Sequence, residues 1–284
     1  MTALRAGDVD LIEAAPWEWI TQIKAGKLKG INYSAGTDAG FRVIKFNVAD
    51  PPFNNKKLRG AVALALDKKE FLQATYFGFG EPSDQRYPKE HAWYIEDAKS
   101  PIRDLERAKA LLKEAGYKGD TIAFSVRQGE QETEAATVQA QLKRIGMNVK
   151  LDLMEYSVYT ARQRSGEFEM RPSGGDYEPD PISTYGDQFR CPANLKKRTS
   201  NDTGYCDKEM DSLISAAETQ LDPAKRRALV ERIVKKLAED VPEVPIGFVP
   251  RFFAFGDYVK GFRTDRQGSF QWLNGGLSHA WLDK

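Results

Sequence analysis

Residues 46–80, FNVADPPFNNKKLRGAVALALDKKEFLQATYFGFG, leave the backbone few choices. An extended approach meets a double proline, and two capped helices then follow in immediate succession. Asn54 or Asn55 offers the side-chain oxygen that a helix N-terminus needs. Leu58, Ala61, Val62, Ala65 and Leu66 fall at i, i+3, i+4, i+7 and i+8, the spacing of one buried helical stripe. Asp67 with Glu70 three residues on reads as a capping box for the second helix, which carries Phe71, Leu72 and Thr75 towards Gly78. The segment predicts an αα-hairpin after a strand.

The rest of the chain alternates between the two periodicities. Val9–Glu13 reads as a strand, followed by a helix that opens at Pro16 and ends near Gly26. Phe41–Val48 alternates as a strand, and 80–101 is irregular, with Tyr87, Trp93 and Tyr94 in it as packing residues or part of a cleft wall. Leu105, Ala108, Leu111, Leu112 and Ala115 mark a helix stopped by Gly116. Thr121–Arg127 is strand-like, Val138, Leu142 and Ile145 mark a helix ended by Gly146, and Val149, Leu151 and Leu153 alternate as a half-buried strand. A short helix over Tyr156–Ser165 and a strand over Phe168–Met170 precede an irregular region. Met210, Leu213, Ile214 and Ala217 build another helix, and Asp222-Pro223 opens the next. Val244–Val249 and Phe252–Phe255 read as strands, with Pro245 suggesting a sheet edge. Such alternation favours an α/β layer structure.

Charge and motif content exclude more than they assign. The 42 Lys+Arg and 41 Asp+Glu of 284 residues give a net charge of +1, which argues against a nucleic-acid surface or an acidic tail. No apolar run approaches the length of a membrane span. The two histidines, His91 and His279, are far apart, and no zinc, nucleotide or serine-hydrolase motif occurs. No enzyme and no cofactor is therefore expected. A calcium loop at Asp176, Glu178 and Asp180 fits poorly, because Pro181 takes the turn-glycine place and Asp187 the place of a bidentate Glu.

Six phrases, in order, carry a resemblance: LRAGDVDLIEAAP (4–16), PPFNNKKLRGAVALALDKK (51–69), DLERAKALLKEAGY (104–117), QAQLKRIGMNVKLDLMEYSVY (139–159), GEFEMRPSGGDYEPDP (166–181) and the long run 204–248. Together they resemble the family 5 solute-binding proteins of ABC importers, which take oligopeptides, dipeptides, nickel chelates and related solutes. The resemblance implies a periplasmic-binding-protein-like α/β fold with a mixed sheet flanked by helices. It implies crossings between lobes at Phe41–Val48 and Arg251–Val259. Residues 1–44 and 257–284 would be pieces of lobe I, and residues 45–256 a nearly complete lobe II. It places Met1 near the middle of a full-length member, so a fragment or shortened reading frame is expected. The implied function is capture of a peptide or other small polar solute for an ABC importer permease, outside the cytoplasm. A signalling or chaperone-like interaction module and a hydrolase are the other classes, the last without a supporting motif.

Site candidates follow from the same comparison. In peptide-binding members an aspartate of the matching phrase meets the ligand's α-amino group, which points to Asp176. Gly175 and Tyr177 flank it, the glycine freeing the backbone and the phenol packing over the ligand. The alternative is that Asp176 only stabilises a turn. Trp17, beside Glu18 and Trp19 after the first strand, either faces the cleft or is buried by its helix. Arg59 and Asp67 read as a surface or capping pair. Cys191 and Cys206 bound one polar loop, and export to an oxidising space favours a disulfide between them.

Overall fold

A computed structural model describes residues 1–129, 131–269 and 275–284. Two long strands organise it: β2 (Ile31–Phe46) and β7 (Glu243–Gly256) pair antiparallel along most of their length. Around them lie β1 (Leu11–Ile12), β3 (Glu81–Pro82), β4 (Ile122–Arg127), β5 (Val149–Met154) and β6 (Met170–Gly175). The sheet order is β1-β7-β2-β6-β4-β5, with β3 also on β7. The β4–β5 and β4–β6 pairs are parallel and the others antiparallel, so the sheet is mixed.

The αα-hairpin forms as α3 (Lys56–Ala65) and α4 (Lys68–Tyr76), following α1 (Thr2–Ala6) and α2 (Trp17–Lys24). Asn55 is the cap of α3, accepting from the Lys57 amide at 3.0 Å. Asp67 caps α4 through the Glu70 amide at 2.9 Å. The reciprocal half of the box is absent: Glu70 forks with Arg144, and the Asp67 amide donates to Gln141 Oε1 instead. Arg59 is no surface residue. It is buried, and its guanidinium donates to the carbonyls of Phe53, Asp240 and Val241.

Helices α5 (Leu105–Glu114), α6 (Glu132–Lys143), α7 (Tyr156–Ser165), α8 (Pro181–Phe189), α9 (Lys208–Thr219) and α10 (Pro223–Asp240) complete the layers. One core joins α3, α4, α5 and α6 to the sheet through Phe46, Val62, Leu142 and Phe124; another joins α8, α9 and α10 through Phe41, Tyr185, Ile214 and Phe248. Tyr87 is fully buried in the second, as packing of the 80–101 segment requires. Smaller clusters lie at the termini, one around Ile20 and Phe252 and one around Phe253 and Phe262. The chain closes through β8 (Val259–Lys260) and β9 (Trp281–Leu282), a separate antiparallel pair. Of the expected return segment 257–284, residues 270–274 lie outside the described residues.

Several expectations are corrected. Val244–Val249 and Phe252–Phe255 belong to one strand, because β2 pairs with β7 on both sides of Pro250, across an irregularity between Gly36 and Gly40. Pro245 lies on this interior strand, opposite Val43 and next to a register shift where the ladder is already interrupted. Val149 is buried and Leu151 packs on the core, but Leu153, near the carboxyl end of the edge strand β5, is 49% exposed. Strand β6 runs on through Gly175, beyond the expected Phe168–Met170, and Pro181 opens α8 with Asp180 as its cap.

Candidate functional site

Strands β4 and β5 run parallel, so their carboxyl ends meet at one margin of the sheet, where α6 and α7 begin. Such margins collect helix N-termini and loop side chains, and in α/β sheets they are where ligands bind. A cleft of about 1080 Å³ opens there. Arg42 from β2 and Arg171, Ser173 and Gly174 from β6 line one side, Arg127, Gln131, Tyr156 and Tyr159 another. Lys197–Ser200 of the loop before α9 lines a third. A smaller cavity of about 410 Å³ adjoins it, sharing Ala14, Trp17, Arg42 and Gly174.

Arg42 is the hub between the two. Its Nε donates to the Tyr76 hydroxyl at 2.7 Å and lies 3.5 Å from Glu134 Oε1, while the same hydroxyl donates to Glu134. Burial pushes the Glu134 carboxyl above its ordinary range, even with Arg42 beside it. Burial disfavours the Arg42 charge, but Tyr76, Glu134 and, more weakly, Asp176 outweigh it and hold the guanidinium charged. Gly174 stands opposite Arg42 in the β2–β6 register, and a Cβ there would lie 2.4 Å from Arg42 Nη1. The glycine is needed for this close approach; its φ is not in the left-handed region, nor is that of Gly175.

A buried polar network lies beneath the cleft. Asp202 Oδ1 accepts from Lys45 Nζ at 3.0 Å, its Oδ2 accepts from Gln163 at 2.9 Å, and Arg171 pairs with the same oxygen. Arg171 Nη1 donates to the Tyr159 hydroxyl at 2.9 Å, which donates on to the Pro172 carbonyl. Gln188 accepts from both Lys45 and Arg86, and Arg86 forks onto Glu243. Burial, with Arg86 and Arg171 nearby, pushes Lys45 well below the ordinary lysine range.

Cys191 and Cys206 are joined, with their Cα atoms 4.3 Å apart. The loop they close is folded around Arg198, which is buried and donates to the carbonyls of Leu195 and Asp202 and to Asn47 Oδ1. A Cβ on Gly166 or Gly204, both at positive φ, would lie within 3 Å of that guanidinium. The disulfide loop thus presents its neighbours Lys197, Thr199 and Ser200 to the cleft and sends Asp202 beneath it.

The site candidates are only partly brought together. Trp17 lines both cavities, half-buried against Tyr76, Phe79 and Phe252 at 5.1, 5.9 and 5.3 Å between ring centroids. Gly175 and Asp176 line the smaller cavity, and Asp176 is exposed. Tyr177 does not converge with them. It is buried against Tyr87, His91 and Phe248, because alternation beyond β6 turns it to the apolar side of the sheet. The sequence reading missed Arg42, Lys45, Arg171 and the 197–200 wall. The available signal was long cations inside strands whose neighbours are apolar, Phe41-Arg42-Val43-Ile44-Lys45-Phe46 above all. Among the described residues no group of His, Cys, Asp and Glu could hold a metal ion, and no helix is long and apolar enough to cross a membrane.

Residues 1–196 match the family described as bacterial extracellular solute-binding proteins, family 5 middle. The dipeptide-binding protein of Escherichia coli is 28% identical over 264 residues, covering 90% of this chain and 48% of its own length. The oligopeptide-binding protein AppA of Bacillus subtilis is 26% identical over 287 residues, covering 92% and 50%. The chain thus spans about half the length of these relatives. The fold is that of the Helicobacter pylori periplasmic binding protein DppA in complex with the peptide STSA, at a TM-score of 0.85 and 24% identity over 100% of this chain and 54% of that one. AppA in complex with a nonapeptide gives 0.84 at 24% identity, covering 100% and 58%. With the family matched over more than half its length, this chain belongs to the family 5 bacterial extracellular solute-binding proteins.

Proposed function

We propose that this chain supplies one lobe, and part of a second, to a receptor that captures a small polar solute for an ABC importer outside the cytoplasm. Residues 45–256 form lobe II in this reading, and 1–44 with 257–284 belong to lobe I. The observation that carries it is the cleft of about 1080 Å³ at the carboxyl ends of the parallel strands. Its volume is just above the roughly 300–1,000 Å³ of small-molecule sites. The named relatives bind dipeptides and oligopeptides, which makes a peptide the first solute to test. Binding rather than catalysis fits a family of receptors.

In this reading Asp176, exposed in the smaller cavity beside Trp17 and Gly175, is the counter-charge for a solute amine. Closure of the lobes would desolvate that contact, and affinity would be the difference between open and closed states. Melting curves with and without a library of short peptides test the proposal. A concentration-dependent rise for at least one peptide supports it. Unchanged melting across the library would contradict it.

A further inference from the structure

The side chains lining the main cleft are unbalanced in charge. Six are cationic (Arg42, Arg127, Arg164, Arg171, Lys197 and Arg198), and one, Glu134, is acidic. Glu134 is already committed to Arg42 and Tyr76. The chain as a whole carries 42 cationic and 41 acidic side chains, so the excess belongs to the cleft and not to the protein.

The imbalance continues below the surface. Arg171 of that lining faces Lys45 beneath the cleft as a direct cross-strand partner, and Asp202 is the carboxylate that serves both. Arg171 is 4% exposed at its side chain, and its Nε has no hydrogen-bond partner. Helix α7 begins at the cleft with Tyr156, and its N-cap residue Glu155 makes no side-chain cap hydrogen bond. Cations on three walls and an under-compensated buried pair ask for the same ligand charge.

We propose that this face of the cleft selects a small solute with at least two oxyanion groups, carboxylate or phosphate, over a zwitterionic or cationic one. The inference rests on the solute-receptor reading and adds the chemical class. Arginine forks suit planar, bidentate oxyanions. A low-dielectric cleft lined by one sign of charge also raises the local concentration of the opposite ion. An amine of the same solute can sit at Asp176 in the smaller cavity, so an acidic peptide satisfies both cavities.

Titration calorimetry on the whole chain at low salt, with triglutamate, trialanine, trilysine, citrate and pyrophosphate as probes, tests it. Triglutamate is expected to bind at least about tenfold tighter than trialanine, with trilysine weakest. The triglutamate affinity should fall steadily as salt is added. Replacing the exposed Arg164 and Lys197 by Gln (R164Q/K197Q) should lower that affinity by roughly threefold or more and leave the melting temperature of the free protein unchanged. Citrate or pyrophosphate binding tighter than triglutamate supports the oxyanion class and identifies the source as a non-peptide polycarboxylate or a phosphate. Trialanine or trilysine matching the anions would overturn the inference and leave the receptor reading intact. No binding of any probe would overturn the inference, and the peptide-library melting curves then decide the receptor reading.

Discussion

Lys45 and Arg171 face each other directly across the β2–β6 pair, two buried cations in register. Like charges in that position repel. The arrangement holds because Asp202 reaches under the sheet from the disulfide loop and pairs with both. The loop that walls the cleft is therefore also the counter-ion of its floor, and the state of one is tied to the state of the other.

Replacing Asp202 by Asn should cost about 3–5 kcal/mol, because it leaves two buried cations with no carboxylate between them. Urea unfolding measures this directly. A loss below about 1 kcal/mol would mean that Lys45 is accommodated without its partner.

Opening the Cys191–Cys206 bridge should lower stability by about 3 kcal/mol on the chain-entropy account of a loop with a sequence separation of 15. Protein from an oxidising compartment should melt at a lower temperature after reduction, and should show no alkylated thiol before it. Two freely alkylated cysteines in unreduced material would contradict the pairing.

Asp180 gives the acid limb a specific contributor. Burial raises its carboxyl, but the fork from Arg226 at 2.9 and 2.8 Å and the Ile182 amide outweigh this and hold it below the ordinary aspartate range. A depressed folded value adds stability above the unfolded pKa of about 3.9, and this is lost as pH falls through the folded value. Asp180→Asn should therefore be less stable than the parent at neutral pH and lose less on acidification below about pH 4. The pair is half exposed, so the difference is small. Parallel stability–pH curves for the two proteins would count against this role.

Asp176→Asn separates the amine site from the cationic cleft. Trialanine, which carries an amine, should bind about tenfold more weakly, a loss of ~1.4 kcal/mol. Citrate, which has no amine, should bind at least as well as before, since one acid beside Arg42 has been removed. Unaltered trialanine affinity would reduce Asp176 to a turn residue.

Much of the fold was legible because local signals agreed with the tertiary result. Asn55 and Asp67 cap the helices their positions suggest, and the Leu58–Leu66 stripe is buried throughout. The exceptions depend on neighbours that sequence does not name. Glu70 was free to leave the capping box only because Gln141, distant in sequence, serves the Asp67 amide. Leu153 alternates like a buried residue, yet it lies on an edge strand. Pro245 looked like an edge signal, but a register shift accommodates it inside the sheet.

The site was less legible. Trp17, Gly175 and Asp176 were proposed from or beside short phrases and line the two cavities, whereas Tyr177, from the same phrase, is buried on the apolar side because its direction depends on where β6 ends. The cations were hidden for a different reason. Arg42 and Arg171 lie far apart in sequence, and only the β2–β6 pairing brings both to one cleft, with Lys45 beside Arg171 beneath it.

The most direct test of the whole account is an amide-resolved NMR titration of this chain with triglutamate. The amide signals of Arg42, Gly174, Tyr159 and Thr199, which line the cleft from four separate segments, should shift together along one saturable curve. Signals of residues remote from it, such as Leu221, should stay fixed. Shifts confined to other surfaces, or none at millimolar peptide, would contradict the claim that this cleft is where the solute binds.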